Sequence, residues 1–217
     1  MKKCLILANG EPPARQVINY LYKKGYETLI CADGGANSAF KYNLLPDYII
    51  GDLDSILPEI YDYFFDKCDI RHIKRQNDTD VEKCIKFALK KHCNEIILLG
   101  VTGDRLDHTF CNMGIVLKFF DKAKLSIIHK NSYLTAYSGN IVLKTIPGET
   151  ISIYAIEKKT KIISTGLKYQ LKNIGLPFGQ RESTSNVAKK NEVKLKITGG
   201  KIFVIRDFNV MRKYGLF

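Results

Sequence analysis

The 217-residue sequence contains no tryptophan, no Cys-x-x-Cys pair and no apolar run long enough to span a bilayer. Each absence excludes something. Without tryptophan, any aromatic stacking on a ligand must come from tyrosine or phenylalanine, and Phe178 is one candidate. Without an apolar stretch of about twenty residues, a membrane-spanning helix is excluded. Six cysteines are present, at positions 4, 31, 68, 84, 93 and 111. Their spacing, including the Cys84, His92 and Cys93 grouping, matches no common zinc pattern. Cys4, Cys31 and Cys84 lie among apolar neighbours, where thiols behave as small buried hydrophobes. A disulfide framework is not expected in a chain of this size without an export signal. The opening Met1-Lys2-Lys3 and Cys4–Ala8 superficially suggest such a signal. The apolar stretch stops at Asn9-Gly10-Glu11, however, so a first β-strand and a cytoplasmic protein are the expectation.

Acidic residues are scarce in one part of the chain. Residues 131–217 carry 15 Lys and Arg against 5 Asp and Glu, whereas residues 1–130 carry 19 against 17. The overall charge of +12 therefore comes almost wholly from the C-terminal part. Scattered lysines such as Lys158, Lys159, Lys161, Lys189 and Lys190 read as a solvated surface. A nucleic-acid-binding module is the competing reading, and it leaves the N-terminal acids without a role.

Strand-like and helix-like segments alternate through the first 130 residues. Strands are expected at 3–8, 26–32, 48–51, 95–100 and 125–129, with a weaker one near 70–73. Helices are expected at 14–24, 34–42, 58–66, 79–91 and 108–120. The pattern implies an α/β domain, a mostly parallel Rossmann-like sheet with helices on both faces. Val81, Cys84, Ile85, Ala88 and Leu89 give the helix at 79–91 one apolar face, and Thr79 with Glu82 suggests a capping box. Phe110, Met113, Leu117 and Phe120 suggest a similar face on the next helix. From 131 to 217 the segments 133–137, 140–145, 150–156, 161–164, 193–198 and 201–206 read as strands. They are separated by turns such as Pro147-Gly148 and Gly199-Gly200, which predicts an antiparallel β-sandwich domain. Leu171 to Asn191 shows few strand signals and reads as a long loop, of the kind that is either functional or disordered.

In an open parallel sheet, ligands bind beyond the carboxyl ends of the strands. Each acidic motif falls there: Asp33-Gly34-Gly35-Ala36-Asn37, Asp52-Leu53-Asp54-Ser55, Gln76-Asn77-Asp78-Thr79-Asp80, and Gly103-Asp104-Arg105-Leu106-Asp107-His108. Converging carboxylates repel one another, and a divalent cation relieves the repulsion. Mg²⁺ suits oxygen ligands that leave room for water and phosphate. Asp52 and Asp54, two apart and so on one side of a regular strand, are the first candidate ligands, with Asp80 the third. Taken singly, Asp33 is also a turn residue, Asp54 with Ser55 a helix cap, and Asp80 a complement to a helix dipole. Gly34 and Gly35, between a strand and a helix, suit a phosphate, although the Gly-Lys-Ser/Thr ending of a P-loop is missing. Arg105 is a candidate phosphate clamp or an ion-pair partner of its neighbouring acids. His108 is a candidate general base or a helix-start residue.

These motifs, in this order, resemble those of the thiamine pyrophosphokinases across nearly the whole chain. Thr165-Gly166-Leu167-Lys168-Tyr169 and Ser183-Thr184-Ser185-Asn186 resemble that family's β-domain motifs. Asp104 stands where glycine is common, and Gln170 where proline is common. The resemblance implies an α/β catalytic domain and a β-sandwich domain in a homodimer, with active sites between one subunit's acidic crevice and its partner's β-domain. It implies pyrophosphate transfer from ATP to the thiamine hydroxyl, with AMP leaving. Asp52, Asp54 and Asp80 would hold Mg²⁺, Arg105 and the Gly34-Gly35 turn would steady the phosphates, and Asp107 would either orient Arg105 or bind the metal through water. Asp33, Gly34, Gly35, Asn37, Gln76, Thr79 and His108 would contact the nucleotide. Ser183, Thr184, Ser185 and Asn186 would position thiamine.

Overall fold

Among the described residues, the apolar runs of the first unit, Met1–Lys130, fold as six strands separated by five helices. These are β1 (Lys2–Leu7), α1 (Arg15–Lys23), β2 (Thr28–Ala32), α2 (Gly35–Lys41), β3 (Tyr48–Gly51), α3 (Pro58–Phe64), β4 (Asp69–His72), α4 (Asp80–Lys90), β5 (Cys93–Leu99), α5 (Leu106–Lys118) and β6 (Lys124–His129). The structure, a computed structural model, describes residues 2–74, 77–103 and 105–217.

All pairings in this unit are parallel, in the order β6-β5-β1-β2-β3-β4. Strands β1, β2 and β5 end in continuous buried runs, as strands covered on both faces do. The chain steps from β1 out to β4, then returns across the sheet to β5 and β6. Right-handed crossovers therefore put α1–α3 on one face and α4 and α5 on the other. The switch point lies between β1 and β5. There Ala8, Gly10 and Glu11 donate N–H groups to Leu99, Gly100 and Thr102 at 2.7–2.8 Å, extending the pairing beyond the strand ends. Gly10 is needed for this approach, since a Cβ would fall 2.5 Å from the Thr102 carbonyl oxygen.

Two local expectations need correction. Thr79 caps α4 by accepting from Glu82 N–H, but the Glu82 carboxylate does not return to Thr79. It pairs with Lys118 of α5 instead, so the capping box is half formed. On α5 the buried face is Asn112, Ile115 and Val116, continued by Phe119 beyond its end. The stripe of Phe110, Met113 and Leu117 stays exposed or partly exposed. The helix has apolar residues on two sides, and the β-branched pair Ile115 and Val116 lies on the buried one.

The second unit, Asn131–Phe217, contains β7 (Ser132–Lys144), β8 (Thr150–Ala155), β9 (Lys161–Thr165), β10 (Lys172–Gly175), β11 (Ser183–Val187), β12 (Glu192–Asp207) and α6 (Phe208–Lys213). All its strand pairings are antiparallel. Two long strands organise it. β12 pairs with β7 along its length, with β9 along its first half and with β8 along its second. Gly199-Gly200, expected as a turn between two strands, lies inside β12 at a bulge. Between Ile197 and Ile202, β12 spends three more residues than β7. An odd insertion switches the face that alternate residues present. Val193, Leu195 and Ile197 before the bulge, and Ile202 and Val204 after it, consequently enter one core with Ile151, Ile153 and Ile162. The stretch 171–191, expected as loop, supplies β10 and β11. Both are short and polar on their exposed positions, so they carried little apolar alternation. α6 was not foreseen; Asp207 caps it through the Val210 N–H at 2.9 Å.

Candidate active site

Three carboxylates meet beyond the strand ends of the first unit. Asp33 follows β2, Asp52 follows β3 and Asp80 opens α4. Each offers one oxygen to a group whose members lie within 4.8 Å of one another. The backbone turns sharply to achieve this: Asp33 and Leu53 both hold positive φ, 44° and 63°. Because β3 ends at Gly51, Asp52 and Asp54 are not successive residues of one strand face. That corrects the strand-based expectation. The cluster holds Asp33 and Asp52, while Asp54 is exposed and accepts from its neighbour Ser55 Oγ at 2.9 Å.

Asp33 is only 3% exposed. Its Oδ2 accepts the Ser55 N–H at 3.1 Å, and its Oδ1 is buried without a hydrogen-bond partner among the described residues. Burial, with the carboxylates of Asp54 and Asp80 nearby, raises its pKa to about 6 against the opposing pull of the Ser55 N–H. A buried acceptor left orphaned beside two more carboxylates fits a hard divalent cation with oxygen ligands.

The loop bearing Asp52 and Asp54 is tied to α2 by Asn37, whose Nδ2 donates to the Ser55 carbonyl at 3.0 Å and whose Oδ1 accepts from Leu57 N–H at 3.1 Å. Expected as a nucleotide contact, Asn37 is engaged here in positioning that loop. Gly34 and Gly35 are buried at the start of α2, and a Cβ on Gly35 would fall 2.0 Å from the Leu7 carbonyl oxygen. Thr79 is exposed at the N-cap of α4. Gln76 and Asp104 lie outside the described residues.

Arg105 and Asp107 are brought to each other. Arg105 Nη2 lies 2.6 Å and Nε 3.2 Å from the Asp107 oxygens, and both side chains are exposed. The Arg105 hydrogen bond, aided by the His108 N–H, pulls the Asp107 pKa down to about 2. His108 is exposed in the first turn of α5.

In the second unit the Ser-Thr-Ser-Asn motif, expected within a loop, lies in strand β11. Asn186 is 1% exposed, and its amide is fully committed. Oδ1 accepts from Tyr169 and Val187 N–H at 3.1 and 2.9 Å, while Nδ2 donates to the Tyr169 carbonyl and to Ser183 Oγ at 2.7 and 3.0 Å. Asn186 thereby joins the two downstream motifs, with Ser183 buried beside it. Thr184 and Ser185 face outward, and the Thr184 hydroxyl meets Tyr154 OH at 3.0 Å.

One residue at the site escaped the sequence reading. Lys83 is buried in the first turn of α4, with Nζ 2.8 Å from Asp80 Oδ1. Its signal was a cation one turn after Asp80, flanked by Val81 and Cys84 on the helix's buried side.

Converging acids at the strand ends of a parallel sheet, with an antiparallel β unit on the same chain, define an α/β enzyme equipped for phosphate chemistry. The catalytic-domain model of thiamin pyrophosphokinase matches residues 20–129, and the vitamin B1 binding domain model of the same family matches residues 140–202. The chain belongs to the thiamin pyrophosphokinase family, and it is a diphosphotransferase. It is 30% identical over 225 residues to thiamin pyrophosphokinase 1 of Caenorhabditis elegans, covering 96% of this chain and 90% of that protein. It is 29% identical over 200 residues to thiamine pyrophosphokinase 3 of Oryza sativa subsp. japonica, covering 78% and 74%. The solved structure of thiamin pyrophosphokinase from Candida albicans has the same fold, with a TM-score of 0.82 at 20% identity over 94% of this chain and 90% of that one.

Proposed function

We propose that the chain moves the terminal pyrophosphate of ATP to the hydroxyl of thiamine as a Mg²⁺-dependent, cytoplasmic homodimer. The observation that carries the metal is the Asp33–Asp52–Asp80 cluster with its orphaned Asp33 oxygen. When bound there, the ion would neutralise charge on the phosphate oxygens. The protein's own residues supply the rest. Asp33, Asp52 and Asp80 hold the ion, and Asp54 stands beside Asp33 as a further carboxylate. The amides at Gly34-Gly35 and the Arg105 guanidinium receive phosphate oxygens, with Asp107 orienting Arg105 between turnovers. Thr184 and Ser185 face thiamine, while Ser183 and Asn186 fix the strand that presents them. The acidic crevice also favours the cationic thiazolium ring.

The reaction forms a bond between the thiamine hydroxyl oxygen and the β-phosphorus of ATP. It breaks the bond from that phosphorus to the oxygen bridging to the α-phosphate; AMP leaves with that oxygen, and the hydroxyl proton is released to solvent. Such transfer depends chiefly on positioning and charge stabilisation, which is what this arrangement of side chains offers.

Phosphorus NMR of the protein with MgATP, with and without thiamine, tests the reading. AMP and thiamine diphosphate should appear together, and only with thiamine. ADP with thiamine monophosphate would mark an ordinary kinase, and phosphate released without thiamine a hydrolase; either result overturns the proposal.

A further inference from the structure

Lys83 stands in an unfavourable place for a lysine. It occupies the first turn of α4 (Asp80–Lys90), where the helix dipole disfavours a cation. Its side chain is only 4% exposed, so the ammonium has also given up most of its hydration. Sequence preference for a helix start explains neither cost. What offsets both is Asp80: Lys83 Nζ lies 2.8 Å from Asp80 Oδ1. Gly51 at the end of β3 leaves that oxygen room, since a Cβ there would lie 3.2 Å from it. Asp80 is thus held by a buried ammonium, beside a glycine that leaves it room and with the carboxylates of Asp33 and Asp52 adjoining.

We infer that Lys83 is a positioning residue, an internal cation that holds Asp80 in the acid cluster and weakens the cluster's grip on a divalent ion. The inference rests on the metal reading proposed above. The physical basis is competition. The ammonium and a bound cation draw on the same carboxylate and repel each other at short range. With Lys83 present the cluster stays assembled when empty, because one of its repelling carboxylates is neutralised. The same ammonium makes the bound ion easier to release, which suits an enzyme whose ion enters and leaves with a nucleotide.

The test uses Mn²⁺ alone as probe, titrated by calorimetry into the nucleotide-free protein, with Lys83→Met, Lys83→Gln and Lys83→Arg beside the wild type. Both neutral variants should bind Mn²⁺ at least fivefold more tightly, and Lys83→Arg should stay within twofold of wild type. In steady-state transfer the neutral variants should lose at least tenfold in kcat with KM for thiamine unchanged, because Asp80 has lost its restraint; Arg should restore most of kcat. Unchanged or weaker Mn²⁺ binding in both neutral variants overturns the inference. So does tightening in Lys83→Met alone, which would indicate packing rather than charge. If neither neutral variant folds, a change above fivefold in Mn²⁺ affinity for Lys83→Arg overturns it, and affinity within twofold upholds it. Wild-type protein whose Mn²⁺ binding equals that of Asp33→Asn would instead overturn the metal reading itself.

Discussion

At the scale of single residues, the acid cluster is a place where folding and function pull in opposite directions. Asp33 is forced into left-handed backbone, buried, and set beside other carboxylates with one oxygen unpartnered. Its pKa rises from 3.8 to about 6. The folded, metal-free protein therefore binds the Asp33 proton more tightly than the unfolded chain does. Stability from this group is complete below about pH 4 and lost as pH rises through about 6. The shift corresponds to roughly 3 kcal/mol once Asp33 is ionised. Asn cannot ionise, so Asp33→Asn should be the more stable protein at pH 8 in EDTA, by about 1–3 kcal/mol, while transfer activity falls to background. Urea denaturation of both proteins from pH 4 to pH 8 measures this. Parallel pH dependences would refute the account of Asp33. The sequence displayed these acids as a set but misassigned their geometry. The strand end at Gly51 was expected, but Asp52 and Asp54 still looked like one side of an extended chain, because nothing in the letters shows that Leu53 between them takes a positive φ. Lys83 went unread for a related reason: a lysine on a helix normally belongs to solvent, and only the packed structure shows it buried.

At the scale of elements, legibility followed periodicity. The apolar strands and the amphipathic α4 of the first unit stand where their patterns put them, since a buried parallel sheet leaves long apolar runs. The second unit was legible as antiparallel β but not in its joints. β7 and β12 each looked like two strands, because the glycines that bend a strand through a bulge are the same residues that make turns. Gly199 shows what the bend requires. Its φ is +78°, and a Cβ would lie 2.5 Å from the Lys159 carbonyl oxygen. Gly148, at φ +91°, has nothing within 4 Å of the same position. Gly199→Ala therefore meets both backbone strain and a clash, and should cost about 2–4 kcal/mol. Gly148→Ala meets the strain alone and should cost about 1 kcal/mol. Denaturant midpoints of the two variants decide the matter; equal losses would mean the bulge relaxes to admit a side chain. The motif Ser183 to Asn186 was likewise visible as a motif, yet its division of labour was not. Asn186 faces inward to hold Tyr169, and Thr184 and Ser185 face out, only because those residues form β11 paired with β8.

At the scale of the whole molecule, the proposed function draws on both units: the acids of one and the outward face of β11 in the other. The charge asymmetry of the sequence already separated them, and within the basic unit the buried Arg206–Glu149 pair shows one cation committed to the fold, with Nε 2.6 Å from Oε1. α5 adds an unspent surface. Leu106 and Phe110 are 68% and 56% exposed, in line with the partly exposed Met113 and Leu117, at the helix whose start bears Arg105 and Asp107. An apolar stripe beside site residues fits a dimer whose sites are completed across subunits. Such a dimer allows a test that a self-contained subunit fails. One chain carries Asp80→Ala and keeps its β11; the other carries Thr184→Arg and Ser185→Arg and keeps its acids. Each alone should be inactive. Co-expressed, the two pair at random, half the dimers are mixed, and each mixed dimer has one site with intact acids facing an intact β11. Activity should therefore return to about a quarter of wild type. If each subunit completes its own site, every site in the mixture carries one of the two lesions and activity stays at background. Sedimentation of the wild type as a monomer would exclude the shared site independently, and the stripe on α5 would then need another occupant.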